Sequence, residues 1–207
     1  MITRYSEAKL PTPHGEFRLV VYRTEDRGGG QPGETDQATR PRIEEHIAMV
    51  LGEPSGAAVL TRVHSSCFTG EVLGSLRCDC RGQLDAALAR ISQEGRGVLV
   101  YLVQEGRGIG LGNKVRAYQL QDDGADTVDA NLALGFEADL RSYDLAAKIL
   151  HDLGVASVRL MTNNPQKIAG LQAAGVTVEA HESHWVDASE HSETYLDTKK
   201  TKLGHIA

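Results

Sequence analysis

Between Gln83 and Val103 the chain changes its hydrophobic period, and that change restricts the fold more than any other feature. Leu84, Ala87, Leu88 and Ile91 fall at helical spacing, and Gly95 and Gly97 punctuate the end. Val98 to Val103 is then one short continuous apolar run, the pattern of a strand buried on both faces. Such a strand needs helices on its sheet, and the sequence beyond it supplies them. Gly112 to Asp123 predicts a helix closed by Gly124, and Tyr143 to Leu153 another, with Ser142 as N-cap and Gly154 as stop. Val155 to Met161 reads as a strand. Asn164 and Pro165 stand at the N-cap and first position of a helix to about Ala174, and Val176 to Ala180 is a last strand. This alternation with short connections predicts an α/β fold: a single layered domain with a mixed β-sheet and helices packed on its faces.

The N-terminal half reads as strands at Glu16–Tyr22, Ile47–Leu51 and Ala57–His64. Residues 24–41, rich in Gly, Asp, Glu and Thr, predict a flexible loop, and 181–207 a polar C-terminal tail in which His181, His184 and His191 are solvated. No repeat and no second core interrupts 1–207, and 207 residues with 41% hydrophobic content suffice for one domain with a real core. No run of roughly 18 apolar residues appears, so no membrane span is expected. The polar start, Met1 to Glu7, lacks the apolar stretch of a secretory signal, and the expected compartment is the cytosol. A net charge of −6 argues against a nucleic-acid partner but leaves room for a small anion held by local cations.

The three cysteines, Cys67, Cys78 and Cys80, all lie within HSSCFTGEVLGSLRCDC. An odd number of clustered thiols in a reducing compartment points to metal or catalysis and away from disulfides. Three thiolates can fill three corners of a zinc tetrahedron and leave the fourth for a water, which the metal activates near neutral pH. The Cys78/Cys80 pair can reach one ion from an extended or turn segment. Two alternatives stay open on spacing alone: small buried apolar thiols, or a closed structural site completed by a histidine such as His64.

Two junctions between a strand and a helix carry polar residues. Gln104-Glu105-Gly106-Arg107-Gly108-Ile109-Gly110 can present backbone N–H groups to an anion, and Arg107 can grip a phosphate. The segment lacks both the P-loop ending and the dinucleotide-binding glycine spacing, and a tight turn with a solvated Arg fits it equally well. At Thr162-Asn163-Asn164-Pro165-Gln166-Lys167, a lysine in the first helical turn opposes the helix dipole unless an anion lies near; a solvated lysine is the plain alternative.

These residues, taken together and in order, resemble GTP cyclohydrolase II. The resemblance rests on Arg62-Val63-His64-Ser65, the cysteine spacing, QEGRGIGL, Asn113-Lys114, Arg116-Ala117-Tyr118, Leu134-Gly135-Phe136, Asp139, Arg141 and Leu160 to Lys167. Ala8 to Pro13 and YLDTKKTKLGH near the end extend it over nearly the whole chain, apart from 24–41. It implies a zinc-dependent hydrolase that opens the imidazole ring of GTP. Formate and pyrophosphate are released, and the product is 2,5-diamino-6-(5-phosphoribosylamino)pyrimidin-4-one, the first step of riboflavin synthesis. It further implies Cys67, Cys78 and Cys80 as zinc ligands, Asp139 as general acid/base and Arg141 as the residue acting on the α-phosphate. Because arginine is almost always protonated, transition-state charge stabilisation is the physically simpler role for Arg141.

By the same resemblance Tyr118 belongs to the later hydrolytic step. Arg62, Val63, His64, Ser65, Ser66, Gln83, Glu105, Gly106, Arg107, Thr127, Thr162 and Lys167 bind GTP, with Glu105 suited to the guanine N1–H and amino group. Magnesium with the triphosphate and a homodimer are also implied. Three positions depart from the pattern: Ser66 stands where Glu is typical, Arg81 where Gly is usual, and Leu140 where a polar residue is frequent. Those departures leave two alternatives, a specialised paralogue making a formamide or another pyrimidine, and a non-catalytic GTP-binding module with structural zinc. A cytidine-deaminase type of site is excluded by the missing H-x-E and P-C-x-x-C signatures.

Overall fold

The computed structural model describes residues 2–26, 42–137, 139–186 and 204. Its strands are β1 (Ile2–Thr12), β2 (Gly15–Asp26), β3 (Arg42–Leu51), β4 (Val59–Ser65), β5 (Gly97–Leu102), β6 (Ser157–Met161) and β7 (Thr177–Glu182). The helices are α1 (Phe68–Glu71), α2 (Cys80–Glu94), α3 (Gly110–Asp122), α4 (Thr127–Ala133), α5 (Asp144–Asp152) and α6 (Pro165–Ala173), with a 3-10 turn over Glu105–Gly108. Among the described residues the strands form one mixed sheet in the order β1-β2-β3-β5-β4-β6-β7. The pairs from β1 to β5 are antiparallel, and those joining β5, β4, β6 and β7 are parallel. The expected α/β class and mixed sheet are what the structure has.

The apolar run of β5 divides its side chains between two cores. Val98, Val100 and Leu102 face the larger cluster, with Val59 and Val63 of β4, and with Ala146, Ala147, Ile149 and Leu150 of α5. Leu99 points the other way and packs with Phe17, Leu60, Met161 and, from α2, Ala87, Leu88 and Ile91. A strand so covered has no solvent face, so its sequence cannot alternate.

Boundaries moved where the local pattern was weakest. The loop expected from residue 24 begins later, because β2 continues through Asp26 in register with β3; residues 27–41 lie outside the described residues. β1 and α4 carry too little apolar periodicity to be foreseen. β1 is exposed along most of its length as an edge strand, held by pairing with β2 and by the Lys9–Glu16 and Arg18–Glu7 ion pairs. Asp126 caps α4 by accepting the N–H groups of Val128 and Asp129. Asn164 caps α6 by accepting the Gln166 N–H, with Pro165 at its first position as expected. Ser142 lies one residue before the N-cap of α5, Tyr143, and its Oγ accepts the Asp144 N–H at 3.3 Å. The expected tail is ordered at its start: β7 runs to Glu182, the Ser183 carbonyl accepts from Arg90 and the His184 N–H donates to Asn163; residues 187–203 and 205–207 lie outside the described residues.

Candidate active site

The parallel strands β4, β5 and β6 end side by side at one edge of the sheet, where α/β proteins place their ligands. The segments leaving these strands line a single pocket: Ser65 to Cys67 after β4, Gln104 to Arg107 after β5, and Thr162 to Asn164 with Lys167 after β6. Tyr118 of α3, Thr127 of α4, Gln83 of α2 and Arg141 close its walls. Of the residues singled out from sequence, two do not line it. Val63 packs its side chain into the core and offers only its carbonyl, to Lys167 Nζ at 2.6 Å. Asp139 approaches the pocket through Arg141, which it binds at 2.5 Å.

The cysteines converge. The three Sγ atoms lie within 4.8 Å of one another, with Cys67 and Cys78 at 3.6 Å. Zn–S bonds of about 2.3 Å at tetrahedral angles set S···S near roughly 3.8 Å, so this donor set fits such an ion. The pair Cys78/Cys80 straddles the turn into α2, Cys80 being the first helical residue. No His, Asp or Glu among the described residues joins the group, and His64 is engaged elsewhere through Nε2, at 2.8 Å from Glu71 Oε1. Among the described residues the cysteines thus supply three donors, whereas a closed structural zinc site needs four. Gly70 makes the cluster possible: a Cβ there would stand 2.8 Å from Cys78 Sγ and 3.3 Å from Cys67 Sγ.

Lys114 Nζ donates to Cys67 Sγ at 3.1 Å and to Glu105 Oε1 at 2.7 Å. Hydrogen bonds from the other two thiols, with Lys114 adding its charge, hold Cys67 far below the thiol range. Donating to that thiolate holds Cys78 and Cys80 up. Burial alone would lower Lys114, but its bond to Glu105 and the Cys67 charge outweigh it and keep the ammonium protonated. Glu105 also accepts the Phe68 N–H at 2.6 Å and its neighbour Gly106 N–H at 3.0 Å. Its lone pairs are thus shared between the cysteine loop and whatever enters the pocket.

The cations are equally well held. Arg62, 5% exposed, donates to the Met161 carbonyl at 2.8 Å and to Gln83 Oε1 at 2.5 Å, and burial pushes it down to about 10. Gln83 in turn donates to Asp79, a buried residue between the two cysteines that spacing did not single out. Arg107 sits at φ 59 between Gly106 and Gly108, both also at positive φ. That left-handed turn is strained for a non-glycine residue and aims the guanidinium inward. For Asp139, burial alone would raise the carboxyl, but the Arg141 guanidinium outweighs it and holds it below the usual range. Tyr118 OH lies 3.2 Å from Thr69 Oγ1, beside the cysteine loop.

Seven buried side-chain polar atoms have no partner among the described residues, and five of them belong to residues lining this pocket: Arg62 Nε, His64 Nδ1, Ser65 Oγ, Gln104 Oε1 and Arg107 Nη1. Protein interiors rarely leave such atoms unpaired unless a ligand or water completes them. Of the positions that depart from the family pattern, Ser66 lines the pocket and its Oγ accepts the Gln104 N–H at 3.2 Å. Arg81 faces solvent, bound to Asp85 and to the Glu71 carbonyl. Leu140 is exposed beside Gly108.

Residues beyond those expected also belong here, among them Gln121 and Asn131 in the lining. Glu71, its side chain 6% exposed, accepts from His64 and from Tyr101 OH at 2.6 Å, which fixes the His64 ring against Tyr101. His184, expected in a solvated tail, is 3% exposed and lines the pocket. The topology explains it, because β7 ends at the same sheet edge as β6 and delivers the next residues to the site. His181 is exposed as expected, and His191 lies outside the described residues.

Comparison with known proteins agrees with this site. A sequence profile of GTP cyclohydrolase II matches residues 3–183. The riboflavin biosynthesis protein RibBA of Bacillus mycoides is 51% identical over 207 residues, covering 100% of this chain and 48% of that protein. RibBA of Chlorobium phaeovibrioides is 50% identical over 207 residues, with 47% of that protein covered, and RibBA of Bacillus subtilis 50% identical over 208 residues. The chain thus spans about half the length of the curated relatives it matches. A solved structure, the two domain 3,4-dihydroxy-2-butanone 4-phosphate synthase RibBX from A. baumannii, aligns with a TM-score of 0.44 at 23% identity, over 90% of this chain and 40% of that one. With its profile spanning nearly all of the sequence and relatives at half identity over its full length, the chain belongs to the GTP cyclohydrolase II family.

Proposed function

We propose that this chain opens the imidazole ring of GTP in the riboflavin pathway, releasing formate and pyrophosphate and giving 2,5-diamino-6-(5-phosphoribosylamino)pyrimidin-4-one. The observation that carries the reading is the convergence, in one pocket, of three cysteine sulfurs with five unpartnered polar atoms. Cys67, Cys78 and Cys80 would hold a zinc ion, which supplies a Lewis acid and activates a water for attack on C8. Three donors with no fourth among the described residues support this over a non-catalytic module with structural zinc.

The chain's own residues then bind and orient. Arg107, Arg62 and Lys167 offer cationic donors to the triphosphate, carried with magnesium, and the strained turn at Arg107 keeps its guanidinium aimed without reorganisation. His64 donates Nε2–H to Glu71, so its Nδ1 is a bare acceptor. Arg141 stabilises charge at the α-phosphate. Once Arg141 turns onto the phosphate, Asp139 loses the partner that holds its pKa down and becomes free to act as general acid/base. Tyr118, beside the cysteine loop, serves the second hydrolytic step. Two chains are expected to assemble as a homodimer.

Mass analysis of the products formed from GTP with zinc and magnesium present tests substrate, reaction and completeness together. Formate with the diaminopyrimidine supports the reading; a stable formamide would instead favour the specialised paralogue, which Ser66 at a usually acidic position makes the second reading. Cys78→Ser should lose zinc and ring opening, and a folded variant that releases formate at the wild-type rate would overturn the mechanism.

A further inference from the structure

His184 is held from two sides. Its backbone N–H donates to Asn163 Oδ1 at 2.9 Å, and its Nε2 lies 2.9 Å from the main-chain carbonyl of Gln83. A carbonyl only accepts, so Nε2 must carry a proton. Nδ1 has no hydrogen-bond partner among the described residues, and the residue that carries it lines the pocket. The two anchors, Asn163 and Gln83, belong to different walls of that pocket, after β6 and on α2. The ring therefore has a fixed position and a fixed orientation.

Burial and the adjacent Arg62 push His184 down to about 3, so the ring stays neutral across the physiological range. A neutral ring with Nε2–H committed can only accept at Nδ1. The ionised oxygens of a triphosphate are acceptors too and offer it nothing. A nucleotide has donors of another kind: the ribose hydroxyls, and the N–H and amino groups of guanine.

We propose that His184 is a substrate-contacting residue whose Nδ1 accepts a hydrogen bond from the sugar or base of the bound nucleotide. The proposal rests on the GTP reading and adds a specificity contact to it. A neutral hydrogen bond at a fixed site separates a substrate that has the donor from one lacking it by roughly 3- to 10-fold.

The test compares the zinc-loaded wild type and His184→Ala on GTP, 2′-deoxy-GTP, 3′-deoxy-GTP and ITP, which lacks the 2-amino group. Each analogue's penalty in the wild type is compared with its penalty in His184→Ala, and the analogue whose penalty shrinks in the variant names the donor, with the loss on GTP falling mainly on KM. Unchanged discrimination in the variant overturns the proposal. So does a loss that follows phosphate number across GTP, GDP and GMP, which would make the contact a phosphate one. Should His184→Ala fold poorly, ¹⁵N NMR of the wild-type imidazoles reads the same question directly. An Nε2–H ring whose Nδ1 signal shifts on binding a non-hydrolysable GTP analogue is expected; a protonated ring, the Nδ1–H tautomer or an unmoved signal overturns it. Wild-type protein that neither binds nor turns over GTP defeats the GTP reading itself, an outcome distinct from normal turnover with His184 silent.

Discussion

Lys114 Nζ sits 3.1 Å from Cys67 Sγ, which ties a helix of the pocket wall to the three-cysteine cluster. Three thiolates around a divalent ion would leave one negative charge, which the ammonium would offset while bridging to Glu105. Removing the ammonium should weaken metal binding without removing a ligand. Lys114→Met is expected to lower zinc affinity roughly 10- to 100-fold, as losses in the shell behind metal ligands do. Competition with a chromophoric chelator measures it, and an unaltered affinity would show that the charge is not needed.

Gly70 has no room for a side chain. Its substitution by Ala would bring a methyl within 2.8 Å of Cys78 Sγ. Gly70→Ala should retain the far-UV circular dichroism of the wild type yet bind zinc poorly and lose formate release. Full metal content by elemental analysis would contradict the cradle role.

Arg107 holds a backbone angle that glycine adopts freely. Arg107→Gly therefore removes the guanidinium while relieving strain, and should leave unfolding stability equal or higher by about 1 kcal/mol. Affinity for a triphosphate analogue should fall about 10- to 100-fold, as for the loss of a charge-assisted contact of roughly 1.5–3 kcal/mol. Affinity for guanosine should not change. Calorimetric titration of both ligands separates the outcomes, and an equal loss on guanosine would reject a phosphate role.

His184 also makes stability depend on pH. Its folded-state pKa, about 3, lies below the ordinary value of 6.5, so the unfolded chain takes up a proton that the folded one refuses. Stability is full above about pH 7 and falls by roughly 1.4 kcal/mol per pH unit below 6.5, or about 2 kcal/mol at pH 5. Buried His46, also lowered by desolvation, adds in the same direction. Urea unfolding at pH 5 and pH 7.5 should show the drop, and His184→Leu should flatten the slope; an unchanged slope would count against a buried neutral ring.

Arg141→Ala should slow pyrophosphate release by at least 100-fold, the order lost with a donor that stabilises transition-state charge. A coupled pyrophosphate assay reads it directly, and unimpeded release would remove Arg141 from the mechanism.

Much of the molecule is legible without its fold. The apolar run Val98–Val103 announces a strand with two buried faces, and Asn164-Pro165 announces a helix start, because both signals are local. The cysteine cluster is legible because thiols so close in sequence span little chain. What stays hidden is either edge structure or long-range. β1 is mostly exposed, so its residues obey no hydrophobic rhythm. Glu71 looks like any surface glutamate until Tyr101 and His64 close on it, from 30 and 7 residues away.

The sequence by itself determined the layered class, the thiol donor set and the family, since each depends on residue type and short spacing. Only the tertiary structure decided which carboxylates are spoken for, which guanidinium nitrogens lack a hydrogen-bond partner among the described residues, and that His184 belongs to the site. Those facts arise where the carboxyl ends of β4, β5, β6 and β7 meet, and strand order in a sheet is fixed by packing between segments far apart in the chain.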